Sequence, residues 1–298
     1  MSISVVIPAY RSESTIKRAL ASVEAQTSLP DEIIVVDDGS DDNTSAMVEE
    51  FKNLVSRVPI TLVRQKNQGV GKARNTGVNI AVGNFIAFLD ADDEWLPNKV
   101  ERSLDHMSRG QFSFIAHDGW VVNGRSKTRN SCAKLFEIGG GSFQSLYRKG
   151  YIDTSTVVAR RQAIITVGGF DPGLSNAQDF DLWLALASLP DSSFLVFGEI
   201  LSKYHIVSGS IMSRTEDRLN CCLRVADRYI PVLKSRSQHA WVNLTYRILA
   251  IHFETIKAYA KKRQYFHIIL TMIKLPVNIS NLTVKYIRGS KFDRPKFI

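Results

Sequence analysis

Residues 33–40 read Ile33-Ile-Val-Val-Asp-Asp-Gly-Ser40: an unbroken apolar, β-branched run that ends in two carboxylates, a glycine and a serine. A run without alternation is what a strand buried on both faces looks like, and the polar quartet after it is turn chemistry. Such a strand needs cover on both sides, and the flanking sequence supplies it. On the N-terminal side Ile16, Ala19, Leu20 and Val23 recur at i, i+3, i+4, i+7, one face of a helix. On the C-terminal side Met47, Val48, Phe51 and Leu54 or Val55 mark a second amphipathic helix. Further out lie Ile3–Ile7, stopped by Pro8, then Ile60–Val63, a helix across Gly71–Ala81, and Phe85–Leu89. Strands alternating with helices predict βαβ crossovers: an α/β, Rossmann-like fold with a mostly parallel sheet and helices on both faces. Sheets of this kind bind ligands at the carboxyl ends of their strands, so the polar residues just after each strand are the candidates.

Beyond Trp95 the regular alternation stops. Val121-Val-Asn-Gly-Arg125 predicts a hairpin turn, and Gly139-Gly-Gly141 a loop. Phe180–Leu189 has a helical period, while Phe194–Phe197 and Ile200–Tyr204 resemble strands. After Ser213 the pattern is helical, with Leu219, Leu223, Ala226 and Ile230 on one face and a long run from Trp241 to Tyr259.

The 298 residues hold 44% apolar and 22% charged side chains, ordinary globular composition. Three cysteines, two of them adjacent, form neither a disulfide framework nor a zinc ligand set, which points to a reducing, cytoplasmic setting. The N-terminal run has no signal-peptide pattern. The apolar stretch Tyr265–Val284 is interrupted by Lys274 and Pro276 and falls short of a membrane span. Charge is unevenly placed: residues 215–298 carry 16 Lys and Arg against 5 Asp and Glu, a net +11, whereas residues 1–214 carry 22 against 24, a net −2.

Four polar clusters follow the strands or open helices. Asp37-Asp38 ends a central strand; paired carboxylates repel, and a ligand donor such as a nucleobase imide N–H would give one of them a partner. Asp90-Ala-Asp92-Asp93 puts three carboxylates in four residues, for which a hard divalent cation is the simplest complement. Either cluster could instead be a solvated helix-capping turn, but two at strand ends of one sheet favour a site. Lys72 and Arg74 follow Gly69 and Gly71 at a helix start, where a pyrophosphate could bind; the spacing matches neither a P-loop nor a dinucleotide fingerprint. Gln178-Asp179-Phe180-Asp181-Leu182-Trp183 opens an apolar helix with acids. That is either capping or, beside apolar neighbours, a general base.

Taken in order, Val5-Val-Ile-Pro-Ala-Tyr10, Val35-Val-Asp-Asp-Gly-Ser40, Asn67 through Gly77, Phe88-Leu-Asp-Ala-Asp-Asp93 and Gln178-Asp-Phe-Asp-Leu-Trp183 resemble the signatures of family 2 glycosyltransferases with the GT-A fold. The resemblance spans about residues 3 to 210. It implies that residues 1–212 are a nucleotide-sugar-binding catalytic domain and 213–298 a basic helical region. It implies contacts of Pro8, Tyr10 and Asp38 with base and ribose, of Arg74 and Lys72 with the pyrophosphate or base, and of Asp90 with the ribose. Asp92 would ligate Mg²⁺ or Mn²⁺, and Asp179 would be the catalytic base. His205 falls where the family often has a basic residue on the diphosphate. Gln178 replaces the usual Glu before the base and, with Trp183, is expected near the acceptor or behind the base. The implied reaction is an inverting single displacement from a nucleotide-diphosphate sugar, a uridine nucleotide on family grounds, to a glycan or lipid-linked acceptor of cell-surface polysaccharide or lipopolysaccharide. Two alternatives stand beside it: a nucleotidyltransferase, though its Gly-rich loop after the first strand is absent, and an inactive nucleotide-sugar- or glycan-binding relative.

In the tail, Trp241, Leu244, Ile248, Ile251 and Phe253 give an apolar helix, followed by Lys261-Lys-Arg263 and Phe266–Leu270. Basic residues beside apolar aromatics suit a helix lying on the anionic inner face of the cell membrane. The competing expectation is a helical cap packed on the catalytic domain. No nucleic-acid-binding module accompanies the charge, and no nucleic acid is expected as a partner.

Overall fold

The computed structural model of the protein describes residues 1–54, 56–137, 142–150, 152–190, 192–206, 214–289 and 291–298. Strands and helices alternate first: β1 (Ile3–Ala9), α1 (Ile16–Glu24), β2 (Glu32–Asp37), α2 (Thr44–Leu54), β3 (Ile60–Arg64), α3 (Val70–Ile80) and β4 (Phe85–Phe88). Then come β5 (Glu94–Trp95), α4 (Lys99–Ser108), β6 (Phe112–Asn123), β7 (Ser126–Asn130), α5 (Cys132–Glu137) and α6 (Ser142–Lys149). A 3₁₀ turn at Thr154–Thr156 precedes β8 (Val158–Arg160), α7 (Arg161–Val167), α8 (Gln178–Ser188) and β9 (Ser193–His205). The chain closes with α9 (Thr215–Arg228), α10 (Ile230–Arg236), α11 (Ala240–Lys261) and α12 (Tyr265–Arg288).

The strands form one sheet in the order β3-β2-β1-β4-β8-β6-β9-β5, with β7 paired to β6. β1 pairs in parallel with β2 and β4, and β2 with β3, as the alternation predicts. Past β4 the sheet is mixed: β8 runs antiparallel to β4 and β6, while β6 and β9 are parallel. The two runs read as separate strands, 194–197 and 200–204, are one strand, β9, whose pairing with β6 shifts register between His117 and Gly119. The predicted hairpin is the β6–β7 turn. The Gly139–Gly141 loop and the 212/213 boundary lie outside the described residues.

Successive strand residues point to opposite faces, and the two cores follow that alternation. Val5, Ile7, Ile33 and Val35 pack with Ile16, Leu20, Val48 and Val100 of α1, α2 and α4. Val6, Ile34 and Val36 pack on the other face with Ala73, Val78 and Trp183 of α3 and α8, and the same core continues into Leu219, Leu244, Ile251 and Leu282 of the tail. Gly77 lets α3 press on β1: a Cβ there would lie 2.5 Å from Val6 Cγ1.

The tail is therefore in large part a cap on the α/β body. Tyr147 and Tyr229 donate hydroxyl hydrogen bonds to the carbonyls of Ala226 and Asp181, and Phe297 N–H donates to Gly168. Arg236 donates to the last carbonyls of α8, at Ala187, Ser188 and Leu189. The interruption expected at Pro276 does not occur: α12 runs unbroken from Tyr265 to Arg288 and by length and composition could cross a membrane. Its buried side, including Thr271 and Leu282, packs inward, while Phe266, Ile269, Ile273, Val277 and Ile287 are exposed.

Candidate active site

The expected residues gather at the carboxyl ends of β1, β2 and β4. At the end of β2, Asp37 is fully buried and accepts the Ser40 N–H at 2.9 Å, which closes the turn. Gly39 sits at φ +78, where a Cβ would meet the Asn67 nitrogen at 2.9 Å, so this turn requires glycine. Asp38 is buried and accepts from Gln65 Nε2 at 2.7 Å, Gln68 N–H at 3.0 Å and Gly69 N–H at 2.8 Å. Both its oxygens thus draw the 65–69 loop over the strand end. Pro8 is buried opposite Val36 in the ladder, and Tyr10, 44% exposed, stands at the rim with the Arg11 guanidinium over its ring.

α3 begins directly after Gly69. Lys72 is half-buried in its first turn and makes no ion pair among the described residues. Arg74 is 5% exposed, packs over the Phe170 ring and donates to Asp90 at 2.6 Å. Its Nε has no partner among the described residues. Gln178, at the start of α8, lies against Gly71, so the helix carrying Asp179 abuts the helix carrying Arg74.

The segment after β4 is tied to the 3₁₀ turn. Ser155 Oγ accepts from Asp90 N–H at 3.1 Å and donates to Asp93 at 2.5 Å, and Trp95 Nε1 donates to the Ser155 carbonyl at 2.8 Å. The same turn reaches the expected base, since Thr154 Oγ1 donates to Asp179 at 3.4 Å. Asp153, the cap of this turn, was not a sequence candidate. Its carboxyl is pushed up to about 7 by burial first and then by the charges of Asp90, Asp179 and Asp92. Asp92 is raised to about 6 by burial and by Asp90. Asp93 is fully buried and raised well above its ordinary value, mainly by burial and then by Asp153. Asp179 is also raised by burial, against the lowering effect of Arg74. The only advance signal for Asp153 was local: an Asp ahead of Thr-Ser-Thr, the pattern of a capped turn.

Five carboxylates thus converge with two guanidiniums, Arg74 on Asp90 and Arg18 on the Asp92 carbonyl, a surplus of negative charge that a divalent cation would relieve. The chemistry of the donor set, all carboxylate oxygen, fits a hard cation. Among the described residues no three His, Cys, Asp or Glu side chains form a ready-made ligand set, so ligand oxygens would have to complete the shell.

Two further expected residues have side chains engaged within the protein itself. His205, at the end of β9, donates its backbone N–H to Asp93 at 3.0 Å, and its ring is 3.0 Å from Glu94, which also accepts from Lys203 at 2.9 Å. The ring is therefore engaged on Glu94. Trp183 is 1% exposed and packs against Phe88, Phe114 and Phe170. It holds α8 against the sheet behind Asp179.

With this geometry in hand, the likeness to known proteins is specific. The profile of Glycosyl transferase family 2 matches residues 4–165. The UDP-Glc:alpha-D-GlcNAc-diphosphoundecaprenol beta-1,3-glucosyltransferase WfgD of Escherichia coli is 33% identical over 213 residues, 71% of this chain and 79% of that one. The amylovoran biosynthesis glycosyltransferase AmsB of Erwinia amylovora is 28% identical, covering 70% and 71%. Among solved structures, S. aureus TarS 1-349 in complex with UDP-GlcNAc superposes with a TM-score of 0.64 at 20% identity over 98% of this chain and 93% of that one. Mannosyltransferase PcManGT from Pyrobaculum calidifontis, in complex with GDP-Man and Mn²⁺, gives 0.63 at 15% identity over 97% and 88%.

Proposed function

Because this chain belongs to glycosyl transferase family 2 and is a GT-A-fold glycosyltransferase, we propose that it moves a sugar from a uridine-diphosphate donor to a lipid-linked acceptor, with inversion, in cell-surface polysaccharide assembly. Family membership sets the nucleotidyltransferase alternative aside. The donor class rests on the UDP-Glc in the name of WfgD and the UDP-GlcNAc bound by TarS, and the acceptor class on the diphosphoundecaprenol in the name of WfgD.

The observation that carries the mechanism is the placement of Asp179. Burial holds its carboxyl above the ordinary value, which suits a general base at neutral pH. Thr154 steadies one of its oxygens and the Phe180 N–H, at 2.7 Å, the other. Asp179 would take the proton of the acceptor hydroxyl as that oxygen attacks the anomeric carbon from the face opposite the nucleotide. Asp92, with Asp90 beside it, would hold Mn²⁺ or Mg²⁺, which supplies charge stabilisation to the leaving diphosphate. Arg74, with one edge on Asp90, and the unpaired Lys72 would face the nucleotide. Tyr10 and the loop held by Asp38 would border the base. His205 would keep the acidic segment in place through its N–H to Asp93 and its ring on Glu94. The exposed apolar face of α12 and the basic tail support peripheral residence on an anionic membrane at the cytoplasmic side, where a lipid-linked acceptor is presented.

Asp179→Asn keeps shape and removes the base. Transfer should fall by several orders of magnitude, while the UDP-induced rise in Tm with Mn²⁺ stays within a degree of wild type. Full turnover by the variant would remove Asp179 from the mechanism. A single-turnover assay that finds no transfer by wild type with any nucleotide-sugar would favour the inactive, binding-only relative.

A further inference from the structure

α12 is an unusual helix for a soluble cap. Only 11% of its most apolar stretch is buried, and Phe266, Ile273, Val277, Val284 and Ile287 recur at helical spacing along one exposed stripe. Its other side is pinned. Lys274 pairs with Glu216 at 2.5 Å, Lys285 pairs with Asp227, and Asn278 meets His252 at 3.1 Å. The segment that follows returns to the catalytic unit, where Arg294 bonds Asp181. A helix held from its middle to its C-terminal end against one globular body cannot span a bilayer without breaking these contacts, but it can lie along one.

At the C-terminal end of this stripe, between α9 and α12, is a recess of about 400 Å³. Arg224, Arg228, Lys285, Arg288 and Lys291 line it, against Asp227 and Asp293. Arg228 is already satisfied by Asp171 and Asp181, and Lys285 by Asp227. Arg288 and Lys291 are exposed and make no ion pair among the described residues. Ile287, 73% exposed, and Phe292 stand beside them. Unspent cations facing a recess at the edge of an apolar stripe complement one chemistry, a phosphate monoanion carried at the surface of a lipid layer.

We propose that this recess receives the phosphate of an anionic phospholipid headgroup while the exposed face of α12 lies in the leaflet. The proposal rests on the reading that the enzyme works at a membrane and adds the surface and the headgroup site that hold it there.

The test is co-sedimentation of the full chain with phosphatidylcholine vesicles and with vesicles containing one-third phosphatidylglycerol. Two double variants of equal charge change are compared: Arg288→Gln/Lys291→Gln in the recess, and Lys257→Gln/Lys261→Gln elsewhere on the α11–α12 hairpin. The wild type should prefer the anionic vesicles, and the recess variant should lose roughly 30-fold in partition, while the hairpin variant loses only a few-fold. Retention of the UDP-induced melting shift in both variants shows that each is folded. Equal losses in the two variants would overturn the recess and leave only diffuse surface charge. Equal wild-type binding to both vesicle types would overturn headgroup recognition, and binding to neither would overturn the membrane reading itself.

Discussion

The helix that carries Asp179 is anchored from behind by buried charge, and removing that anchor is a sharp test of how the tail serves the site. Asp181 is fully buried, two residues after Asp179. Two positions along an α-helix turn a side chain about 200°, so the pair point to opposite sides. Asp181 accepts from Arg228 at 2.7 Å and from Arg294 Nε at 3.0 Å, and these side chains are 11% and 3% exposed. Arg294 also donates to the carbonyls of Val167 and Gly169, and Arg228 to Asp171 at 2.7 Å. Asp181→Asn leaves buried cations under-compensated, and breaking such a pair costs about 3–5 kcal/mol. Because Asp171 and the carbonyls remain, the lower end is expected, about 3 kcal/mol, or a Tm fall on the order of 10 °C. Arg294→Met removes the cation left stranded, so the double variant should cost clearly less than the sum of the single ones. Urea unfolding followed by tryptophan fluorescence supplies both numbers, and kcat should fall with Asp181→Asn because α8 loses its fixed approach to the acceptor. A cost below about 1 kcal/mol, or additivity within about 0.5 kcal/mol, would refute the idea that this network positions the base.

Three further outcomes follow from the site and its surroundings. Asp92→Ala should weaken the Mn²⁺-dependent part of UDP binding, read by calorimetry with and without EDTA; equal affinity in both proteins would place the metal elsewhere. Lys99 is fully buried over the Trp95 ring, its amine has no hydrogen-bond partner among the described residues, and burial holds its pKa well below the ordinary value. Lys99→Met keeps the volume without the polar end and should raise Tm, whereas a fall would reveal a partner for the amine. Wild-type stability should rise with pH toward the unfolded lysine pKa, since the unfolded chain binds the extra proton there, and Lys99→Met should lose that rise. The carboxylates act in the opposite direction. With Asp92 raised to about 6 and Asp153 to about 7, the folded metal-free protein binds more protons than the unfolded chain between about pH 4 and 7. Its stability should fall as pH rises through that window, by on the order of 3 kcal/mol from Asp92 alone. Tm in EDTA at pH 5 and pH 7.5 checks the sign, and Mn²⁺ with UDP should erase the difference.

The parallel half of the fold was legible because local pattern and tertiary environment agree there. A strand covered on both faces must be apolar throughout, so 33–36 announces itself, and the turn after it must be polar, with a glycine where φ is positive. The same logic makes Asp38, Arg74, Asp90, Asp92 and Asp179 readable, since each follows a strand or opens a helix at the end of the sheet where ligands bind. The mixed part of the sheet resisted for a physical reason. β8 is three residues long, and β6 and β9 pair with irregular register, so neither leaves a sequence period to count.

Asp153 shows where such reading stops and what replaces it. In sequence it is one acid before a short polar stretch, 60 residues from the Asp90–Asp93 segment and 26 from Asp179, and capping explains it fully. Only the antiparallel pairing of β8 with β4, with Val158 opposite Ala87, brings the turn beside the acidic segment. There Ser155 fastens to Asp90 and Asp93, and Thr154 to Asp179. One short turn thus couples the segment expected to hold the cation to the residue expected to take the proton. A change in charge at Asp153 should therefore be felt by both. Asp153→Asn removes a neighbour that helps hold Asp93 above its ordinary value. By the same like-charge effect it should draw the Asp179 carboxyl down and move the acid limb of the kcat/KM profile to lower pH. An unmoved limb in a variant that still binds UDP with Mn²⁺ would mean that Asp153 caps its turn and nothing more.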